Sequence, residues 1–172
     1  KSSTRDFEGL VSHVNLALNV SLAITMIFVP AFIVLGTPIC EILFGSTGAG
    51  IYVSRAAIIM IPMGISQITS SLLNSMGLEI KSLINYVISA IALFLCIFFL
   101  PKYLGTNALI VGMGSLSTIS SLLNLRMLKK RGLFENVFIK NFAKIMGYGI
   151  VATVCGKLLL RLFKLFLPKF VY

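Results

Sequence analysis

Long apolar runs separated by short polar links dominate this chain. Four of them, at residues 9–40, 56–78, 82–101 and 103–125, contain no Lys, Arg, Asp or Glu. At a rise of 1.5 Å per residue, each holds the ~20 residues needed to cross a hydrocarbon core of about 30 Å. No water is available in that core, so a spanning segment must satisfy its own backbone groups, which a helix does alone. The period-two alternation of an outer-membrane barrel is missing. The pattern therefore predicts an all-α fold, a polytopic transmembrane helix bundle in a cell membrane.

Spanning helices are predicted at about 14–36, 51–75, 82–100 and 107–128. Pro30 falls inside the first and predicts a kink. Thr37-Pro38 predicts the restart of a short helix ending at Phe44, before the break at Gly45-Ser46-Thr47-Gly48. A fifth helix, 141–160, requires Lys144 and Lys157 to snorkel, because only the twelve residues between them are uncharged. Residues 161–172 mix Lys164 and Lys169 with Phe163, Phe166 and Phe170. They read as an interfacial amphipathic stretch or as the start of a cut-off helix. The first residue is Lys1 and no basic-then-apolar leader is visible, so the chain is expected to be a piece of a longer protein.

Composition agrees with this picture: 58% of the 172 residues are hydrophobic and 12% charged, against roughly 25% charged in a soluble domain. A net charge of +10 in a soluble chain would suggest nucleic acid. Here the basic residues sit at helix ends, where they meet the anionic headgroups of membrane lipids, and no nucleic-acid partner is expected. Their distribution sets an orientation. Lys1, Arg5, Lys81, Arg126, Lys129, Lys130, Arg131, Lys140 and Lys144 fall on one side. Arg55, Lys102, Lys157, Arg161, Lys164 and Lys169 fall on the other. The loop after residue 128 is thus expected in the cytoplasm, with the first helix running outward.

The spans carry amides and hydroxyls but almost no ionisable groups. On the second, Gln67, Ser70, Ser71 and Asn74 follow i, i+3, i+4, i+7 and share a face. Ser82, Asn85 and Ser89 repeat this on the third, Ser117, Ser121 and Asn124 on the fourth, and Asn15 and Asn19 on the first. Such a stripe is either the wall of a polar cavity, suited to a sugar or amide headgroup, or interhelical glue at about 0.6 kcal/mol per bond. For the second helix both readings stand; for the others glue is favoured. The pentapeptide Ser70-Ser71-Leu72-Leu73-Asn74 recurs as Ser120-Ser121-Leu122-Leu123-Asn124, as a duplicated hairpin would give. Small residues on the fourth and fifth helices, Gly112, Gly114, Gly147, Gly149 and Gly156 among them, predict close helix packing.

Arg55, at the outer mouth of the polar helix, either marks the interface or holds a phosphate through its planar fork of donors. Glu41 and Glu79 are expected in solvated loops. Cys40, Cys96 and Cys155 are odd in number and widely spaced, which predicts buried inert thiols. His13 stands alone, so no metal site is expected. No nucleophile–base pair, carboxylate pair or phosphate-cradling loop can be assembled, and the chain reads as a non-enzyme without a cofactor.

Several stretches carry a family resemblance. Val29-Pro30-Ala31 is followed by Thr37-Pro38-Ile39 and Ile42-Leu43-Phe44-Gly45. Residues 65–77 run from the polar helix to a glycine exit, 100–108 form a short turn between Pro101 and Gly105, and Leu122-Leu123-Asn124-Leu125 precedes a basic loop. In this order they resemble the C-terminal lobe of the polysaccharide and lipid-linked oligosaccharide flippases of the stage V sporulation protein B type. That group belongs to the superfamily that includes multidrug extruders. The resemblance implies that the five helices match the ninth to thirteenth of about fourteen, and that the missing N-terminal lobe is a partner in the same polypeptide. It implies transport of a lipid-linked saccharide, a polysaccharide or cell-wall precursor, by alternating access. A cation-coupled drug extruder and a structural membrane scaffold are the competing readings. The substrate-cavity residues expected on this chain are Arg55, Gln67, Ser70, Ser71, Asn74 and Asn85.

Overall fold

The computed structural model describes residues 2–45, 47–133 and 136–166, so the expectation for the stretch 167–172 lies outside the described residues. Every regular element among them is helical. They are α1 (Ser2–Phe44), α2 (Thr47–Ala56), a 3-10 turn (Ala57–Ile59), α3 (Met60–Ser75), α4 (Glu79–Phe99), the four-residue α5 (Pro101–Leu104), α6 (Asn107–Lys130) and α7 (Asn136–Phe166). Five spans are long and apolar enough to cross a membrane: Gly9–Phe44, Gly48–Ser75, Glu79–Phe99, Asn107–Lys130 and Asn141–Leu162. The all-α bundle expected from the sequence is the fold.

Several boundaries differ from the sequence reading, two of them in where a helix is continuous. The first helix does not restart at Thr37-Pro38: α1 is one element with both Pro30 and Pro38 inside it. Each proline removes a bond to the carbonyl four residues back, but α1 is braced along this stretch. Gly36 and Thr37 lie against Gly50 of α2, while Met26 and Val34 lie against Gly149 and Gly156 of α7. Tertiary packing carries the helix across the prolines. At 43 residues, α1 is roughly 65 Å long, about twice the hydrocarbon thickness, so it reaches well beyond any bilayer it crosses. The second predicted helix is instead interrupted at Ala57–Ile59. Pro62 explains the break, since it offers no N–H to Ile58 and sits in the first turn of α3, where that loss costs nothing.

α6 packs on α4 along one side and on α3 along the other, while α1 packs on α2, α3 and α7. The buried face of α6 is mostly small or polar, with Ala108, Gly112, Ser117, Ser120, Ser121 and Asn124, and ends on the apolar Leu128. Gly112 makes room for α4 side chains: a Cβ there would lie 2.9 Å from Leu93 Cδ1. The outside is reversed. Ile42, Phe94 and Phe98 are 84%, 69% and 80% exposed, and α4 and α7 bury little of themselves. A sheath of large exposed apolar side chains, around helices that also meet through small and polar residues, is the arrangement that lipid, rather than water, favours. Val11, Leu73, Leu128 and Leu133 cluster together, which gathers the start of α1, the end of α3 and the end of α6 at one end of the bundle.

The thiols are only partly as expected. All three are free; Cys40 is buried, but Cys96 is half-buried beside Ser115 Oγ (3.6 Å) and Cys155 is exposed, because α7 packs mainly on α1 and buries little of itself.

Candidate functional site: a polar cleft between α3 and α4

The turn joining α3 to α4 shapes the site. Gly77 takes φ +70°, a left-handed conformation that closes α3, and Leu78 N–H donates to Leu73 O at 2.9 Å. α4 restarts at once at Glu79, but it then leans on α6 and touches α3 far less. The two helices diverge above their turn and leave a cleft of about 460 Å³.

Its walls follow helical spacing. Ser66, Ser70 and Asn74, with Gln67 beside them, come from α3; Glu79, Ser82 and Tyr86 come from α4. The walled part of α3 is roughly 12 Å long. Gln67, Asn74, Glu79 and Tyr86 are exposed, and their side chains make no hydrogen bond or ion pair among the described residues. An amide pair, a carboxylate and a phenol therefore stand open at one end of an apolar bundle. No Lys or Arg lines the cleft. The arrangement offers hydrogen bonds to a neutral, hydroxyl-rich group and disfavours an anion.

Directly behind the cleft lies a closed polar knot. Asn124 is fully buried. Its Oδ1 accepts from Asn85 Nδ2 at 2.9 Å, and its Nδ2 donates to Ser70 Oγ at 2.9 Å and Thr69 Oγ1 at 3.4 Å. Ser66 Oγ donates to Ser120 Oγ at 2.9 Å. Three helices are joined through one amide, which satisfies every polar atom that amide brings inside.

The six residues singled out in the sequence thus separate. Gln67, Ser70 and Asn74 line the cleft, and Ser70 also belongs to the knot. Asn85 is turned into the knot and is not part of the cleft lining. Ser71 is exposed and also absent from the lining. Arg55 is far away, in the last turn of α2, roughly 18 Å from Gln67 by helical rise. Its Nη1 donates to Asn107 Oδ1 at 3.1 Å, joining α2 to the first residue of α6.

Sequence reasoning missed Glu79 and Tyr86. Neither glutamate is in a loop: Glu41 lies within α1, and Glu79 opens α4, where a carboxylate is favoured by the positive end of the helix. The signal that would have found these wall residues is the spacing Glu79, Ser82, Tyr86, which puts all three on one face.

The Arg55–Asn107 bond gives a direct expectation. Arg55→Gln and Asn107→Ala should each cost about 0.5 kcal/mol, and the double variant no more than either, because both remove one exposed bond. A double-mutant cycle on unfolding free energy checks this, and strict additivity would contradict it. Compared with known proteins, the chain matches no family model, no curated protein and no solved structure.

Proposed function

We propose that this chain is one helical lobe of a multi-pass cell-membrane transporter for a lipid-linked polysaccharide or peptidoglycan precursor. The α3–α4 cleft is its share of the substrate-cavity wall. The observation that carries the reading is the set of unpartnered polar side chains, Gln67, Asn74, Glu79 and Tyr86, open at one end of a bundle otherwise sheathed in apolar residues. Polar groups facing hydrocarbon would be costly. Such a wall needs an aqueous cavity and an opposing surface, which a second lobe of the same polypeptide supplies, as in alternating-access transporters built from paired repeats. Because the wall carries a carboxylate and no cation, it suits the saccharide end of the substrate. The diphosphate is held elsewhere.

The test is transport of the lipid-linked precursor by the full-length protein carrying Gln67→Leu and Asn74→Leu together. Each substitution removes open hydrogen-bonding groups worth about 1 kcal/mol apiece to a bound headgroup, so transport should fall at least roughly tenfold at unchanged membrane levels. Full transport would overturn the cavity reading and favour a scaffold.

One observation favours the cation-coupled extruder: Glu79 puts a carboxylate in the cleft, and ion coupling requires one. Glu79→Gln separates the two readings. Precursor transport retained at about the wild-type rate supports the flippase, whereas ion-dependent drug efflux abolished by the same change supports the extruder.

A further inference from the structure

A second cavity has the opposite character from the cleft. α6 packs on α3 and α7 on α1, and the consecutive helices α6 and α7 hardly touch. Between them a groove of about 590 Å³ remains open. Its floor is the outer surface of the main core: Ile61, Ile65, Leu125 and Phe142 all pack against buried Val14, Leu18 and Leu22 or their neighbours. Leu122, 61% exposed, forms part of the wall. From Thr118 to Lys129 the groove follows α6 for roughly 16 Å.

Its mouth is basic. Arg126 and Lys129, one helical turn apart on α6, line the end nearest the α6 C-terminus. Neither makes an ion pair or a side-chain hydrogen bond among the described residues. Lys130 and Arg131 follow immediately, at the end of the bundle where the starts of α1 and α4 also lie. An apolar slot of this length with two free cations at one end matches one kind of molecule: an acyl chain attached to an anionic headgroup.

We propose that the α6–α7 groove binds an anionic phospholipid of the bilayer, with one acyl chain in the slot and the phosphate between Arg126 and Lys129. This requires only that the helices span a bilayer and is independent of the transport reading. Basic pockets between spanning helices on the positively charged side bind anionic headgroups through this combination of apolar slot and local charge. Two guanidinium or ammonium groups near the headgroup, each worth about fivefold in affinity, give roughly a thirtyfold preference over a zwitterionic lipid.

The experiment uses the full-length protein in detergent, with phosphatidylglycerol and phosphatidylcholine as probes and bound lipid counted by native mass spectrometry. Wild-type protein should retain phosphatidylglycerol about thirtyfold more tightly. Arg126→Gln with Lys129→Gln should bring the two lipids to near equality, while Lys102→Gln, at the opposite end, should change nothing. Equal retention of both lipids by the wild type, or an undiminished preference in the double variant, would overturn the proposal. So would inorganic phosphate competing as well as the lipid, which would reduce the site to an anion contact. A benzophenone attached at Leu122→Cys should cross-link to phospholipid in native membranes. A cross-link to another segment of the protein or to a second copy would show the groove occupied by polypeptide and sink the lipid reading.

Discussion

Replacing Asn124 by Leu should destabilise the bundle by about 3 kcal/mol, while the same replacement at Asn74 should change stability by less than about 0.5 kcal/mol. The two residues close identical pentapeptides, so the four residues before each cannot distinguish them. Their surroundings do. Asn124 joins α3, α4 and α6 through three hydrogen bonds at full burial. At the membrane average of about 0.6 kcal/mol per bond, their loss accounts for roughly 2 kcal/mol. The stranded amide of Asn85, left half-buried without an acceptor, adds about 1 kcal/mol. Asn74 is exposed in the cleft and has no side-chain bond to lose. SDS-induced unfolding of the purified protein, followed by circular dichroism, measures both. A loss below 1 kcal/mol for Asn124→Leu would mean that the knot does not hold the helices together.

The same pair shows how far sequence reading reached. The apolar runs located four spans, because a bilayer demands length and hydrophobicity and little else, and the fifth followed once Lys144 and Lys157 were taken to snorkel. The polar stripe on the second helix was also legible as a stripe, since i, i+3, i+4, i+7 spacing fixes a face whatever packs there. What packs there was not legible. The repeated pentapeptides adopt different burial because α6 is flanked on two sides whereas the end of α3 borders the widening gap to α4. Asn85 matched the cavity pattern but is claimed by Asn124, a partner 39 residues away. Glu79 escaped notice because the tight turn at Gly77 sets α4 one residue after Leu78, where a loop was expected, and without it the face shared with Ser82 and Tyr86 was incomplete. For the pentapeptides and Asn85 the deciding information is long-range, whereas for Glu79 and Tyr86 it is a local turn and helical spacing. The interruption at Ala57–Ile59 was local as well: Pro62 was in plain view, and its effect falls one turn upstream.

The glycines of the α1–α2 hairpin carry the other large expectation. α2 folds back on α1 with Gly50 buried against it, and a Cβ on Gly50 would strike the Cα of Thr37 and lie 3.0 Å from Gly36 O. Both obstacles are backbone, inside a helix held by its own ladder, so neither can rotate away. Gly50→Ala must push the helices apart, which should cost about 3 kcal/mol, the upper end of ordinary overpacking. Gly36→Ala meets Ser54 Oγ at 2.8 Å, a side chain that can swing aside at the loss of its 3.4 Å bond to Phe32 O. It meets the Ser54 backbone nitrogen only at 3.3 Å, so about 1 kcal/mol is expected. Gly147, on the open side of α7, has nothing within 4 Å of a Cβ. There the helix propensity of alanine acts unopposed, and Gly147→Ala should stabilise by about 0.5–1 kcal/mol. The three single variants, unfolded side by side under the conditions used for Asn124, should rank Gly50, Gly36, Gly147 from largest loss to gain. A Gly50→Ala protein as stable as wild type would mean that α2 does not rest on the α1 backbone, and that the long first helix crosses its two prolines without that brace.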